Sequence, residues 1–182
     1  MKFLFSLLIL LSSLKVFSST DDSILRFTDS LLFVTELPLH CDKMYSIPET
    51  ENDGGDIKGI CGDEFFWRIV SLRDTAIPYL LNKLSDTTTT QVIVVYYGNY
   101  AVADVANEAI KQIIKGIPDV ELVYNLKDNG LGEQNRWNFL RQSTGNRKKF
   151  QRALSKWYEK NKSSLVWIKD KTPAEGHYEI RQ

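Results

Sequence analysis

The sequence predicts a mainly α-helical, compact single domain built around an antiparallel helix pair, with a small β-hairpin-like element. Three observations carry that prediction. Apolar residues recur at helical spacing in Ile77, Leu80, Leu81 and Leu84. They recur again over about fourteen residues in Val102, Val105, Ala106, Ala109, Ile110, Ile113 and Ile114. Between these stripes lies "QVIVVYYGNYAV", which is β-branched and aromatic and carries Gly98-Asn99 as turn chemistry.

The 182 residues suffice for one domain with a sizeable core. Twenty-three basic residues balance twenty-three acidic ones, so the chain lacks the basic excess of a nucleic-acid binder. The first element differs from the rest. "MKFLFSLLILLSSLKVFSS" places Lys2 before a short apolar run and small residues after it, the order of a secretory signal peptide. Val16 and Ser18 suit the two positions before a cleavage, so residues 1–18 read as the signal and residues 19–182 as a single helical domain. Read otherwise, the segment is a buried N-terminal helix. A stable membrane anchor is not expected: the apolar run falls short of the ~20 residues that a span needs, and Lys15 interrupts it. Removing the signal takes away Lys2 and Lys15 and leaves 21 basic against 23 acidic residues, a formal charge of −2. The expected location is therefore secreted or periplasmic.

In such a compartment Cys41 and Cys61 are expected to form one disulfide. It would close a polar segment rich in Gly, Asp and Glu, stabilising by roughly 3 kcal/mol in the chain-entropy model. Before that loop, Ile24, Phe27, Leu31 and Val34 mark one face of an amphipathic helix with Ser23 as its cap and Pro38 past its end. After it, "GDEFFWRIVSL" reads as a short helix capped by Asp63, with Phe66, Ile69 and Val70 facing inward.

The next helix is expected to be capped by Asp74 or Thr75, with Pro78 in its first turn, where the N–H groups have no intrahelical partner. Residues Ser85 to Thr90 end it, because threonine is a poor helix former. The stretch Val92 to Tyr97 reads as a short hairpin or as an extended connector. The following helix ends where Gly116 offers a left-handed residue and Pro118 forbids continuation.

The patterns "IPYLLNKLSD" and "VADVANEAIKQI" together resemble a HEAT-type helical repeat over about residues 74 to 116. The early proline, the leucines behind it and the aspartate at the turn carry the likeness. The connection "TTTTQVIVVYYGNY" is longer than the family's, and one clear unit is visible with no second copy at a fixed period. The resemblance implies a protein-binding rather than a catalytic role.

Beyond Pro118, "EQNRWNFLRQ" suggests a helix turning Trp137 and Leu140 inward. In "NRKKFQRALSKWYEKNKSSLVWI", Phe150, Ala153, Leu154, Trp157 and Tyr158 share one helix face, with lysines and arginines opposite. "LVWI" is strand-like and is expected to pair with "HYEI" across the Lys169–Gly176 loop. This tail is similar to the closing segment of some bacterial HEAT-like proteins.

Chemistry-bearing residues are sparse. His40, Cys41, Cys61 and His177 have the atom types for zinc but lack the short-range ligand pairs of such sites. Glu51, Asp53 and Asp56 supply hard oxygens near two glycines, so the acidic loop Glu51–Asp56 is a calcium candidate without EF-hand spacing. Asp63-Glu64 and Asp104–Glu108 offer acid pairs for a hydrolase, against simpler uses at helix starts. No phosphate-binding glycine loop, G-x-S-x-G or H-E-x-x-H is present, and no cofactor is expected.

The tail helix carries Arg147, Lys148, Lys149, Arg152, Lys156, Lys160 and Lys162, with Trp157 and Tyr158 interleaved. Arg152, Lys156, Lys160 and Trp157 form the candidate binding face, which suits an acidic partner; its simpler reading is a solvated face over an aromatic core. The expected function is a non-catalytic protein-interaction domain. Two alternatives remain, a small secreted hydrolase and an inhibitor or immunity-type protein that blocks a partner enzyme.

Overall fold

The computed structural model describes residues 30–38, 62–94, 98–118, 122 and 133–181. The signal segment, Ser23, Ile24, Phe27, His40, Cys41, the loop Glu51–Asp56 and Cys61 lie outside the described residues. Five helices and two antiparallel hairpins build the described part. The helices are α1 (Glu64–Ser71), α2 (Ile77–Lys83), α3 (Val102–Ile113), α4 (Glu133–Gln142) and α5 (Thr144–Asn161). The strands β1 (Thr89–Val94) and β2 (Gly98–Ala101) connect α2 to α3, and β3 (Leu165–Lys169) and β4 (Gly176–Ile180) follow α5.

The core gathers around α3, which packs on α1, α2, β2 and β4. Every residue from Ala101 to Ile110 is buried. Ala106 and Ala109 lie on the same stripe as Val102, Val105 and Ile110, and their small side chains let neighbouring elements approach the helix closely. One hydrophobic cluster runs from Leu31 through α1, α2 and α3 to Leu154 and Tyr158, and includes Ala174 in the last loop.

The first expected helix is corrected in its described part. Ser30–Phe33 is a single 3-10 turn, and Val34 to Leu37 carry no helix. Leu31 and Val34 are both fully buried all the same. The segment is held by Asp63: its Oδ2 accepts from the Thr35 N–H and from the Glu36 N–H at 3.2 Å. Its Oδ1 accepts from the Phe66 N–H at 2.8 Å, the expected cap of α1. Phe66, Ile69 and Val70 point inward as their spacing requires, joined by Trp67.

The start of α2 also departs from expectation. A 3-10 turn, Arg73–Ala76, leads into it, and its N-cap position is Ala76, with no side-chain bond. Neither Asp74 nor Thr75 caps it: Thr75 Oγ1 donates back to the Leu72 carbonyl, and Asp74 Oδ1 accepts from the Tyr178 hydroxyl at 3.1 Å. The 3-10 turn already continues the chain helically, so no extended cap residue exists for a side chain to work from. Pro78 sits in the first turn, and Ile77, Leu80, Leu81 and Leu84 are all buried.

The connection between the stripes is a hairpin, with Thr89 opposite Ala101, Ile93 opposite Asn99 and Val94 opposite Gly98. Its exit delivers α3 to the end of α2: the Val102 N–H donates to the Thr88 carbonyl at 2.8 Å and the Ala103 N–H to the Asp86 carbonyl at 3.0 Å. Gly116, at φ +72°, provides the expected left-handed exit. The second hairpin keeps its strands in continuous register from Leu165–Ile180 to Lys169–Gly176. A parallel bridge from Ile114 to Tyr178 fastens it to the end of α3, and the Lys115 N–H donates to the Tyr178 carbonyl at 2.9 Å. The expected pairing of "LVWI" with "HYEI" is present, and the connection that reads as a short hairpin or an extended connector is a hairpin.

Candidate functional site

Helix α5 carries the residues that the sequence marks as a binding face, and its burial pattern decides which of them face solvent. Ser143 starts the helix by accepting from the Asn146 N–H at 3.1 Å. Arg147, Phe150, Leu154 and Tyr158 are buried along one stripe, spaced three, four and four. The Gln151 amide donates to the carbonyls of Leu81 at 2.9 Å and Asn82 at 3.2 Å, meeting two orphan acceptors at the end of α2. Ala153 and Trp157 are half-buried at the border, and the Trp157 side chain packs on the core.

Lys148, Lys149, Arg152, Lys156 and Lys160 are exposed. Arg152, Lys156 and Lys160 follow at intervals of four, so at a rise of 1.5 Å per residue they cover about 12 Å of helix. Among the described residues none of the three has an ion-pair partner. Trp157, three positions before Lys160, flanks them. Lys162 is exposed too, but its Nζ lies 2.6 Å from Glu159 Oε2.

Arg147 does not belong to that face, and its place there is corrected. It is buried, and its guanidinium grips Asp104 on α3 with two bonds, Nη1 to Oδ1 at 2.6 Å and Nη2 to Oδ2 at 3.1 Å. Arg147 stands three residues before Phe150, in line with the apolar stripe, and that position was the signal of its burial. Asp104 Oδ2 also accepts from the Ala101 N–H at 2.9 Å, the returning half of a capping box. Glu108 is buried as well, 3.3 Å from the Lys111 ammonium. The acid pair Asp104–Glu108 therefore turns into the core, one member locked to an arginine and the other to a lysine. Asp63 holds the two backbone segments described above, and the exposed Glu64 pairs with Arg68.

His177, one of the four zinc candidates, sits in the second hairpin between two carboxylates. Its Nδ1 lies 2.6 Å from Asp170 Oδ2 and its Nε2 lies 3.0 Å from Glu179 Oε1. The ring nitrogens thus address carboxylates on opposite sides, which is a brace across the hairpin and not a convergent ligand set. Among the described residues no group of three His, Cys, Asp or Glu converges on a metal-sized point. Partial burial pushes the Asp170 carboxyl up, but hydrogen bonds from Thr172 and His177 outweigh it and hold the group below its ordinary value. Nearby, the Arg73 guanidinium lies 4.2 Å from the centre of the Trp167 ring, and Trp167 meets Tyr178 edge to face at 4.9 Å. Burial, seconded by Asp74, pushes the Tyr178 hydroxyl up, so it stays a donor to that carboxylate. Gly176, at φ +152°, allows this packing: a Cβ there would stand 2.3 Å from the Ile168 carbonyl and 2.7 Å from the Trp167 ring.

Among the described residues no helix is long and apolar enough to cross a membrane. No protein-family model matches the chain, and no curated protein or solved structure matches it either.

Proposed function

We propose that this chain is a secreted or periplasmic, non-catalytic interaction domain that binds an acidic protein surface through the outer face of α5. One observation carries the reading: Arg152, Lys156 and Lys160 form a stripe of exposed cations without ion-pair partners among the described residues, on a helix whose opposite side is locked into the core. Such a stripe steers an oppositely charged partner and loses strength with salt. Trp157 at its edge supplies the large amphipathic contact typical of binding hot spots. A non-catalytic role is supported by the uses already found for the carboxylates: Asp63 is a helix cap, Asp104 is held by Arg147, and Glu108 is paired with Lys111. The packed pair α2–α3, read as a HEAT-type unit over residues 74 to 116, agrees with a protein-binding role by analogy of fold. Leader cleavage after Ser18 and a Cys41–Cys61 disulfide belong to the same proposal.

The test uses the mature chain as bait in the native envelope fraction, followed by binding of the purified partner. The expected partner is acidic, and its affinity falls as salt rises. Reversing Arg152, Lys156 and Lys160 to glutamate together should abolish capture, while Lys83→Glu on α2 should do little. The opposite outcome, loss with Lys83→Glu and none with the triple variant, would place the binding surface on the α2–α3 pair and overturn the assignment.

A further inference from the structure

Asn107 lies near the middle of α3 and is 6% exposed. Its Oδ1 is buried and, among the described residues, is the side-chain atom left with no hydrogen-bond partner. Buried acceptors are almost always met, by protein or by ordered water. Asn107 also lines a cavity of about 10 Å³ where the end of α2 meets α3, α4 and α5. Leu84, Trp137 and Phe150 form its apolar wall, and Asp104 and Arg147 supply its charged lining.

The chemistry of that lining selects the ligand. An unmet carbonyl oxygen needs a donor. The Asp104 carboxylate accepts only, and Arg147 already spends one N–H from each terminal nitrogen on that carboxylate. A molecule that suits the site must donate to the Asn107 carbonyl, and it gains if it can also donate to Asp104 or accept from the guanidinium. It must also be no larger than one non-hydrogen atom, because a cavity of roughly 10–15 Å³ holds a single water. We infer that this cavity is a specific binding site for one ordered water, which completes a polar network of Asn107, Asp104 and Arg147. The site ties the central helix to the first turn of α5, where the exposed cations begin. It stands whether or not that face binds a partner.

A crystal structure of the full chain at a resolution that orders solvent tests this directly. One water is expected within hydrogen-bond reach of the Asn107 carboxamide and of Asp104 or Arg147. In solution, magnetic relaxation dispersion of water nuclei should count one fewer long-lived internal water in Asn107→Leu than in the wild type. Asn82→Leu, at an exposed position, should leave the count unchanged. The inference is overturned if the wild-type crystal has no water there, or if the carboxamide bonds a protein group directly. An unchanged count in Asn107→Leu would overturn it equally. Should Asn107→Leu fail to fold, the wild-type crystal decides alone.

Discussion

Helices α3 and α5 both carry charge, and they use it in opposite ways. On α3 the acids Asp104 and Glu108 are buried, each against a cation. On α5 one cation, Arg147, is drawn inward to serve that need, while Lys148, Lys149, Arg152, Lys156 and Lys160 stay in water. The difference lies in what surrounds each residue and not in its charge. A charge on the buried stripe must find a partner or bear a desolvation penalty of several kcal/mol. A charge on the open face is nearly neutral for stability. The Asp104–Arg147 pair therefore joins α3 to α5, whereas the outer charges stay in water.

Removing Arg147 should break the inner arrangement most severely. Arg147→Ala leaves the Asp104 carboxylate buried and uncompensated, and the expected loss is about 3–5 kcal/mol in urea unfolding. A paired change, Arg147→Met with Asp104→Leu, should recover much of that loss, since apolar replacement of a buried ion pair is often neutral. Next comes the apolar framework that holds both helices. Leu81 and Ile110 lie in the same cluster, and Leu81→Ala should cost about 2–5 kcal/mol. A loss under about 0.5 kcal/mol, the range of surface changes, would show that the stripe faces solvent.

Asp63 stands between the two extremes, half-buried and bonded to backbone. Asp63→Ala should cost about 0.5–2 kcal/mol as a lost cap, read from the same unfolding curves. At the second hairpin the comparison becomes one of pH. Asp170 is held below its ordinary value of 3.8, so its contribution is full above that pH and is lost as pH falls below it. Protection of the His177 amide, taken relative to the intrinsic exchange rate at each pH, should fall over that acid range, and Asp170→Asn should remove this pH dependence. An unchanged acid response in Asp170→Asn would assign it elsewhere. The smallest stability effect belongs to the outer face: Arg152→Ala, Lys156→Ala and Lys160→Ala should each shift unfolding by less than about 0.5 kcal/mol.

The parts that were legible in the sequence are those set by local period and local chemistry. The stripes of α2 and α3, the Asp63 cap, the left-handed exit at Gly116 and the pairing of β3 with β4 all follow from neighbours a few residues apart. What was not legible depends on distance along the chain. Asp104 finds Arg147 forty-three residues away, and Asp74 finds Tyr178 one hundred and four residues away, which no helical spacing encodes. Asp74 reads as a cap because its type favours that use, and the 3-10 turn before α2 took that role away. For the candidate face, the sequence marked Arg152, Lys156 and Lys160 correctly as outward, because they oppose Phe150, Leu154 and Tyr158. It mistook Arg147, whose charge outweighed its position in the stripe.

The tie between the start of α5 and the middle of α3, together with the bridge from Ile114 to Tyr178, has a consequence for the order of assembly. The central helix precedes in the chain every group that neutralises Asp104 or fastens its own end. During synthesis, a stretch ending before Arg147 would hold a carboxylate without its guanidinium partner. That stretch has reason to stay open, and closing loops of such length is slow compared with local helix formation. The domain should therefore fold late, once the segment that carries Arg147 and Tyr178 is available.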